Sequence, residues 1–319
     1  MSPLEPRTER FREDPYDLVI VPMRKSSRGD TLMAPHTQRV LVAGATGYLG
    51  GFVARELAKR GCFVRALARS PEKLESIKDE LEEVVVGEVT EPDTLTGTCD
   101  GIDVVFSSIG ITKQKGKLTF KDVDYQGNLN LLREAQKAGV RKFIYVSVYN
   151  GPELLHLDII KAHEDFVAEL AASGLDYTVI RPTGYFSDMG EYLKMARSGR
   201  VWLVGSGKNR MNPIHGADLA VACVDAMGGT DQEIEIGGPE TFTYRQIAQL
   251  ALQAAGKKPR ITSIPTSVIR IAVALLKLAS RHSGELLAFF ATMMTSDMVA
   301  PAAGTHRLGE HFRESEAAS

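Results

Sequence analysis

Short apolar runs alternate with helical patterns along most of the chain, starting at Arg39. Six of these runs have the length and apolar character of buried strands, and they lie at residues 40–43, 63–68, 84–86, 104–106, 143–146 and 177–180. Patterns with a helical period lie between them, among them residues 125–138 and 157–172. A chain in which strands and helices alternate folds into a parallel sheet with helices on both faces. The sequence therefore predicts the α/β class with a doubly wound parallel sheet.

The alternation loosens after Pro182, and this divides the chain into three predicted parts. Residues 1–36 carry scattered charges of both signs and predict a flexible extension, and residues 37–183 form the α/β core. Residues 184–319 form a smaller mixed region, partly interleaved with the core, that supplies the substrate side.

Two stretches of the last part, Ser267–Ser280 and Leu286–Met294, are apolar nearly all round. Such helices belong to the core or to a subunit interface, form a lid over an apolar substrate, or contact a membrane surface. The three alternatives stay open, and the interface alternative would make the protein a homodimer.

Charge and composition exclude several classes of protein. The 319 residues include 38 Lys and Arg against 40 Asp and Glu, a net charge of −2, which gives no electrostatic footprint for nucleic acid. The three cysteines (Cys62, Cys99 and Cys223) are widely spaced, and the seven histidines show no ligand spacing, so we expect neither a disulfide framework nor a metal site. No run of about 18 apolar residues predicts a membrane span, and without a signal-peptide pattern we expect a cytoplasmic protein.

A glycine-rich turn follows the first strand of the core. It reads Gly44-Ala45-Thr46-Gly47-Tyr48-Leu49-Gly50 and precedes a helical pattern. Glycines at such a turn let backbone N–H groups approach a pyrophosphate, and the helix N-terminus attracts the same anion. The alternative is a turn that only packs the helix on the strand. We predict that Gly44, Thr46, Gly47, Tyr48 and Leu49 hold a dinucleotide.

With this spacing the chain resembles the short-chain dehydrogenase/reductase superfamily, and within it the NmrA-like branch. The resemblance covers about residues 38–312 and is carried by residues 42–50, 66–73, 145–147, 173–186, 212–220 and 237–241. It implies a Rossmann-like fold and an NAD(P) cofactor. It also implies that Glu88 and Val89 line the adenine pocket, that Ser107, Ser108 and Gly110 touch ribose and phosphate, and that the loop starting at Pro182 passes along the nicotinamide.

The charge after the second strand of the core favours NADP over NAD. An NAD site needs an acid there to bind the ribose 2′-hydroxyl, but residues 65–70 contain none. Arg69 stands where the strand becomes a loop, and Lys73 lies one helical turn further on. A guanidinium at this place pairs well with a 2′-phosphate. The alternative is a solvated charge at the end of a strand.

The usual catalytic pair of this superfamily, Tyr-x-x-x-Lys, is missing. The residue four before Lys161 is Leu157, although Ser147 matches the family serine. Helical phase turns His163 inward and Lys161 outward, so His163 is a candidate proton donor. The alternative is a core histidine satisfied by one hydrogen bond. Tyr149 and Tyr185 are two further candidates, and packing is the alternative for both.

Two functions remain. The first is an NADPH-dependent reductase that passes hydride to a carbonyl, enone or quinone of apolar character, so that the partner is a small molecule. The second is a regulator or assembly factor that binds NADP without turning it over, as some NmrA-like relatives do. The missing Tyr-x-x-x-Lys pair favours the second, whereas an enone or quinone needs less acid catalysis and suits the first.

Overall fold

Seven parallel strands form most of the main sheet of the computed structural model, which describes residues 20–22, 37–110 and 118–318. The strands are β1 (Ile20–Pro22), β2 (Arg39–Ala43), β3 (Phe63–Ala68), β4 (Glu83–Val86), β5 (Val104–Ser107), β6 (Lys142–Val146), β7 (Asp176–Pro182), β8 (Val201–Val204), β9 (Arg210–Met211), β10 (Glu233–Ile236), β11 (Phe242–Thr243) and β12 (Ile261–Ile264). The helices are α1 (Tyr48–Lys59), α2 (Asn128–Lys137), α3 (Asp158–Ala171), α4 (Phe186–Arg197), α5 (Gly216–Asp225), α6 (Tyr244–Ala254), α7 (Thr266–Ala279), α8 (Arg281–Thr295) and α9 (Leu308–Ala317). Short 3-10 turns lie at Pro71–Glu80, Pro92–Leu95 and Gly151–Leu154, and a π-helical turn at Lys121–Gly127 leads into α2.

The strand order of the main sheet reverses at its centre. From edge to edge the order is β1-β4-β3-β2-β5-β6-β7-β10. β1 is antiparallel to β4, and all other neighbours are parallel. Because β3 and β5 both pair with β2, successive strands run outward from β2 in opposite directions. This order confirms the predicted doubly wound parallel sheet.

Side chains of alternating direction on the strands build a hydrophobic core on each face of the sheet. On β2, Val40 and Val42 belong to the cluster that includes apolar residues of α1 and α5. Leu41 and Ala43 belong to a second cluster that includes residues of α2 and α3. Because both faces are covered, the strands are continuous apolar runs, and this is why the sequence predicts them well.

The segment for which we predict a flexible extension, residues 1–36, has three described residues. Ile20–Pro22 form β1, in which Val21 lies opposite Val84 of β4. The rest of the segment lies outside the described residues, and its flexibility stays a prediction.

The last third of the chain adds to the main sheet and also builds a second core. β10 pairs with β7, and α5 packs on the same face of the sheet as α1. α4, α6 and α9 enclose a separate cluster that includes Phe186, Tyr244 and Phe312. Two small sheets, β8 with β12 and β9 with β11, complete this region.

The two apolar stretches near the C-terminus form α7 and α8. They pack against each other, and α8 also contacts α3 and β8. No residue of α7 is buried, so α7 is not a core helix. Within the described residues, none of the helices combines the length and the hydropathy that crossing a bilayer requires.

Candidate functional site

The carboxyl ends of the parallel strands bring most of the predicted site residues to one edge of the sheet. The glycine turn follows β2, Arg69 follows β3, Glu88 follows β4 and Ser108 follows β5. At the point where the strand order reverses, a crevice opens between the connections that leave neighbouring strands in opposite directions. The fold thus places the candidate cofactor site beside β2.

The glycine turn is held in a conformation that only glycine adopts without strain. Gly44 has a φ of +93°, and its carbonyl oxygen accepts a hydrogen bond of 2.8 Å from the Gly47 N–H. A Cβ on Gly44 would lie 2.8 Å from Ser108 Oγ, and a Cβ on Gly50 would overlap the Gly44 carbonyl. The backbone segments therefore approach each other so closely that a side chain at either glycine would not fit.

The N-terminus of α1 lies at the same edge and suits an anion. Its Ncap residue, Gly47, makes no side-chain hydrogen bond, and the first turn contains no acidic residue. Unpaired N–H groups and the helix dipole favour a phosphate there. The residues present fit the pyrophosphate of a dinucleotide.

Two of the predicted turn residues support the turn from within the protein. Leu49 is buried in the core under α1. The Tyr48 hydroxyl accepts a hydrogen bond of 3.0 Å from the N–H of Gly216, at the start of α5, while Thr46 is exposed. Tyr48 thus joins α1 to α5, and burial raises its pKa above the ordinary value.

Arg69 and Glu88 come together at the ends of β3 and β4. The Arg69 side chain is 67% exposed, and its Nη1 lies 3.2 Å from Glu88 Oε2. Lys73 is exposed one turn further on. Val89 is buried, and its carbonyl accepts a hydrogen bond from Asn130 Nδ2. A phosphate that approaches Arg69 therefore meets a guanidinium that a carboxylate already holds in place.

The two serines at the end of β5 have different surroundings. Ser107 is fully buried, and its hydroxyl donates a hydrogen bond of 2.6 Å to Asn128 Oδ1 at the start of α2. Ser108 is half-buried, and its N–H donates to the Ala43 carbonyl at the end of β2. Ser108 therefore lies beside the glycine turn, whereas Ser107 holds α2.

His163 lies on the inward face of α3, as the helical phase predicts. Its side chain is 11% exposed, with Nδ1 2.5 Å from the Tyr145 hydroxyl and Nε2 3.2 Å from Asp124 Oδ1. Lys161, in contrast, is exposed and pairs with Asp165 at 2.6 Å. Both ring nitrogens of His163 therefore have a partner, whereas the alternative of a core histidine required only one hydrogen bond.

The two partners of His163 are fully buried, and sequence reasoning did not assign them to the site. Burial raises the pKa of the Tyr145 phenol well above its ordinary value, and the charge of Asp124 acts in the same direction. A Cβ on Gly110 would lie 3.0 Å from Asp124 Oδ1 and 3.5 Å from His163 Cε1. The Asp124–His163–Tyr145 group therefore lies directly behind the loop that follows β5.

A buried ionic network engages the family serine. The Ser147 hydroxyl donates a hydrogen bond of 2.8 Å to Glu164 Oε1, which also accepts one of 2.6 Å from Arg181 Nη1. The Arg181 side chain is 2% exposed and also pairs with Glu233 on β10. The pairing of Glu164 with Arg181 does not follow from a sequence motif, because it depends on how α3 packs on β7.

The two candidate tyrosines differ in their surroundings. Tyr149 is half-buried, its N–H donates to the carbonyl of Pro182 at the end of β7, and its hydroxyl has no hydrogen-bond partner among the described residues. Burial, and then Glu235 and Glu153, raise its pKa. The ring of Tyr185 packs against the core cluster under α1, 5.8 Å from the ring of Tyr48. Burial also raises the pKa of Tyr185.

The neighbours His215 and Asp218 do not form a pair. Asp218 binds His306 at 2.8 Å and accepts hydrogen bonds from the backbone N–H groups of Thr305 and His306. His215 Nδ1 caps α5 by accepting from the Ala217 N–H, and its ring stacks on His306 at 4.1 Å. Asp218 thus braces the segment before α9.

Comparisons with known proteins agree with this geometry. The model of a family described as NAD(P)H-binding matches residues 44–230. The chain is 30% identical over 239 residues to the photosystem II assembly factor Ycf39 of Synechocystis sp., which is 73% of this chain and 72% of that protein. It is 29% identical over 295 residues to the divinyl chlorophyllide a 8-vinyl-reductase of Cucumis sativus, which is 85% of this chain and 70% of the relative.

The fold is also similar to that of solved structures. Triphenylmethane reductase of Citrobacter sp., solved with NADP(H), superposes with a TM-score of 0.69 at 18% identity over 87% of this chain and 99% of that one. At this identity the likeness concerns the fold alone.

Proposed function

This chain belongs to the NAD(P)H-binding family, and we propose that it is an NADPH-dependent reductase that passes a hydride to a carbonyl, enone or quinone of apolar character. The observation that carries the proposal is the meeting, at one edge of the sheet, of an anion-binding turn and an unengaged phenol. The turn follows β2, and Tyr149 follows β6 on the other side of the reversal. The bound cofactor would supply the hydride, and the chain would supply the proton.

NADPH is favoured over NADH by the charge at the end of β3. Arg69 is exposed there, and Lys73 follows one turn later without an ion pair to any described residue. The carboxylate of Glu88 is paired with Arg69, so the guanidinium partly neutralises the one acid at this place. The pair would open to admit a 2′-phosphate, which carries more negative charge than the Glu88 carboxylate and binds the guanidinium through more oxygen atoms.

Tyr149 is our first choice as proton donor. Its hydroxyl has no partner to release among the described residues. His163 would have to release Tyr145 or Asp124 before donating, so we place it second. Tyr185 packs beside Tyr48, and the Ser147 hydroxyl is engaged by Glu164, so both rank below.

Apolar side chains near Tyr149 support an apolar substrate. Tyr149 and Met293 of α8 pack against the same hydrophobic cluster, and Phe289 of α8 packs against the cluster beside α3. The relative from Cucumis sativus is named for the reduction of a vinyl group. A conjugated double bond that accepts hydride needs little acid catalysis, which agrees with the missing Tyr-x-x-x-Lys pair.

The test is NADPH oxidation with a panel of acceptors: a quinone, an enone and a simple ketone, each with an apolar substituent. We expect turnover with the quinone or enone, and we expect Tyr149→Phe to lower kcat by about tenfold or more while the Kd for NADPH stays unchanged. Tyr177→Phe, at another half-buried tyrosine on β7, is the matched control. A Tyr149→Phe variant with full kcat would remove Tyr149 from the mechanism.

The second candidate is a regulator or assembly factor that binds NADP without turning it over. It is favoured by the name of the Synechocystis relative, an assembly factor, and by the engagement of both ring nitrogens of His163. Tight NADPH binding without oxidation by any acceptor would select it. Capture of a partner protein that changes with the NADPH/NADP ratio would then be the positive result.

Three expectations stay predictions: a cytoplasmic location, a homodimer and membership of the NmrA-like branch. The described cysteines are all free thiols, which suits a reducing compartment. Sedimentation of the full chain would measure its oligomeric state directly.

A further inference from the structure

One face of α7 exposes a row of apolar side chains. Val268, Ile271, Leu275 and Leu278 are 51%, 62%, 62% and 86% exposed. Their spacings of three, four and three residues place them on one side of the helix. Aliphatic side chains exposed singly are ordinary, but a continuous row marks a contact surface.

The packing of α8 leaves this row free. α8 lies against α7 through Gly284, where a Cβ would meet the backbone N of Lys277 at 2.7 Å. The Lys277 ammonium pairs with Glu285 of α8 at 2.6 Å. At 100° per residue, Lys277 lies about 100–180° from each member of the row. The apolar row therefore faces away from α8.

The chain around α7 is strongly basic. From Thr241 to Gly284 there are seven Lys and Arg residues and no Asp or Glu, although the whole chain has a net charge of −2. Apart from Arg245, which donates hydrogen bonds to Ser206 and Ser263, four of the seven are exposed and have no ion-pair partner among the described residues, namely Lys257, Lys258, Arg260 and Arg270. The first three lie in the loop before β12, which leads directly into α7, and Arg270 lies in α7 itself.

We propose that α7 and the basic loop at residues 256–260 form a docking surface for an anionic lipid bilayer. The apolar row would enter the boundary between headgroups and acyl chains, and the cations would bind the lipid phosphates. α7 has 14 residues and a length of about 21 Å, so it would lie in the plane of the bilayer and not cross it.

Charge argues for a bilayer and against a second copy of the chain. In a two-fold dimer the same surface meets itself, so the unpaired cations of one copy would approach those of the other. An anionic bilayer has an apolar interior for the row on α7 and negatively charged headgroups for the unpaired cations. A partner protein with an acidic apolar surface is the remaining occupant, and the test separates it.

The test is flotation of the full chain with vesicles, without cofactor or substrate, so that its result does not depend on the proposed reductase activity. Vesicles of phosphatidylcholine mixed with phosphatidylglycerol are compared with vesicles of phosphatidylcholine alone. We expect the chain to float with the anionic vesicles and to be released at high salt, where the screening length falls to about 3 Å at 1 M.

Two pairs of variants separate the apolar and the electrostatic contributions. Leu275→Glu should weaken binding by about tenfold or more, whereas Val221→Glu, the same change at an exposed residue of α5, should leave it unchanged. The double variant Lys257→Gln/Lys258→Gln should lose most of the preference for anionic vesicles. Lys59→Gln/Lys137→Gln, which removes two exposed lysines of α1 and α2, should keep it.

Each of the following outcomes would overturn the proposal. The first is an absence of binding to anionic vesicles, and the second is an equal loss with Leu275→Glu and Val221→Glu. The third is a stable dimer in solution that Leu275→Glu converts to monomers, because the surface would then belong to a second copy. Capture of an acidic protein without vesicle binding would likewise assign the surface to that partner.

Discussion

Replacing Arg69 by alanine tests the choice of cofactor most directly. Arg69 lies at the end of β3, where the 2′-phosphate of NADPH would approach, and the variant removes the guanidinium with little effect on packing because the side chain is 67% exposed. NADH lacks this phosphate. The variant should therefore weaken the binding of NADPH and leave that of NADH nearly unchanged.

The expected magnitude follows from the exposure of Arg69 and from its existing partner. A hydrogen bond to a charged group stabilises by about 1.5–3 kcal/mol. Solvent screening at an exposed site places this pair near the lower limit. The Arg69–Glu88 contact at 3.2 Å must open or be shared when the phosphate binds, which offsets part of the gain. We expect a loss of about 1.4 kcal/mol, which is about tenfold in Kd.

The measurement is titration of the quenching of protein fluorescence with NADPH and with NADH, at low and at moderate salt. Arg141→Ala is the matched control, because the Arg141 side chain is 68% exposed and lies 3.5 Å from Asp103. Arg141 comes directly before β6, at the amino ends of the parallel strands and so away from the cofactor site. Glu88→Gln should act in the opposite direction, since it frees Arg69 for the phosphate. The effect of Arg69→Ala should shrink as salt is raised.

Equal losses for NADPH and NADH would refute the assignment, because they would mean that Arg69 supports the shape of the site and not the phosphate. A loss with Arg141→Ala as large as that with Arg69→Ala would do the same, since it would reveal only a change in net charge. Tighter NADH binding by Arg69→Ala would place the ribose 2′-hydroxyl beside Glu88.

Three further predictions concern the turn, the pH dependence and the second core. Gly50→Ala should abolish cofactor binding, because its Cβ would lie 2.6 Å from the Gly44 carbonyl carbon. Gly51→Ala should retain binding, because the atom nearest to its Cβ would be 3.6 Å away. NADPH titration measures both. Burial and two neighbouring imidazoles lower the pKa of His215 from 6.5 to about 4. As the pH falls, His215 is therefore protonated in the unfolded chain before it is protonated in the folded one. The free energy of unfolding should therefore fall as the pH drops from about 6.5 to about 4, by about 1–2 kcal/mol after solvent screening of the part-exposed ring, as urea denaturation would measure. Phe312→Ala should lower the free energy of unfolding by about 3–5 kcal/mol in the same assay, since this side chain is fully buried.

Each of these predictions has a result that contradicts it. Gly50→Ala with normal NADPH affinity would show that the turn adapts. His215→Asn, which keeps a residue able to cap α5, should remove part of the pH dependence, and an unchanged profile would point to other groups. A loss below about 1 kcal/mol for Phe312→Ala would mean that α9 contributes little to the second core.

Much of the fold could be predicted because the main sheet is buried on both faces. Six strands of continuous apolar character stand out from the helical patterns between them. β10 escaped prediction because it lies at an edge, where the sequence Glu233-Ile234-Glu235-Ile236 alternates between exposed and more buried side chains. An alternating run of four residues without a clear turn on either side is a weak signal.

The candidate site could be predicted where it depends on position along a strand. The glycine turn and Arg69 follow from the rule that ligands bind at the carboxyl ends of parallel strands, whereas Glu88 is implied by the resemblance to the short-chain dehydrogenase/reductase superfamily. The partners of His163 and Ser147 could not be predicted, because they depend on contacts between elements distant in sequence. Helical phase indicates that His163 points inward, but it does not indicate what the side chain meets there.

Two consecutive residues of α3, His163 and Glu164, connect neighbouring elements at the carboxyl ends of the strands. His163 binds Tyr145 of β6 and Asp124 of the turn before α2, while Glu164 binds Ser147 after β6 and Arg181 of β7. The Ser147 hydroxyl is thus held by the Glu164 carboxylate, whereas the hydroxyl of Tyr149, two residues later, has no hydrogen-bond partner among the described residues. Under our proposal, a chain that lacks the Tyr-x-x-x-Lys pair would take its proton donor from this loop and not from the helix.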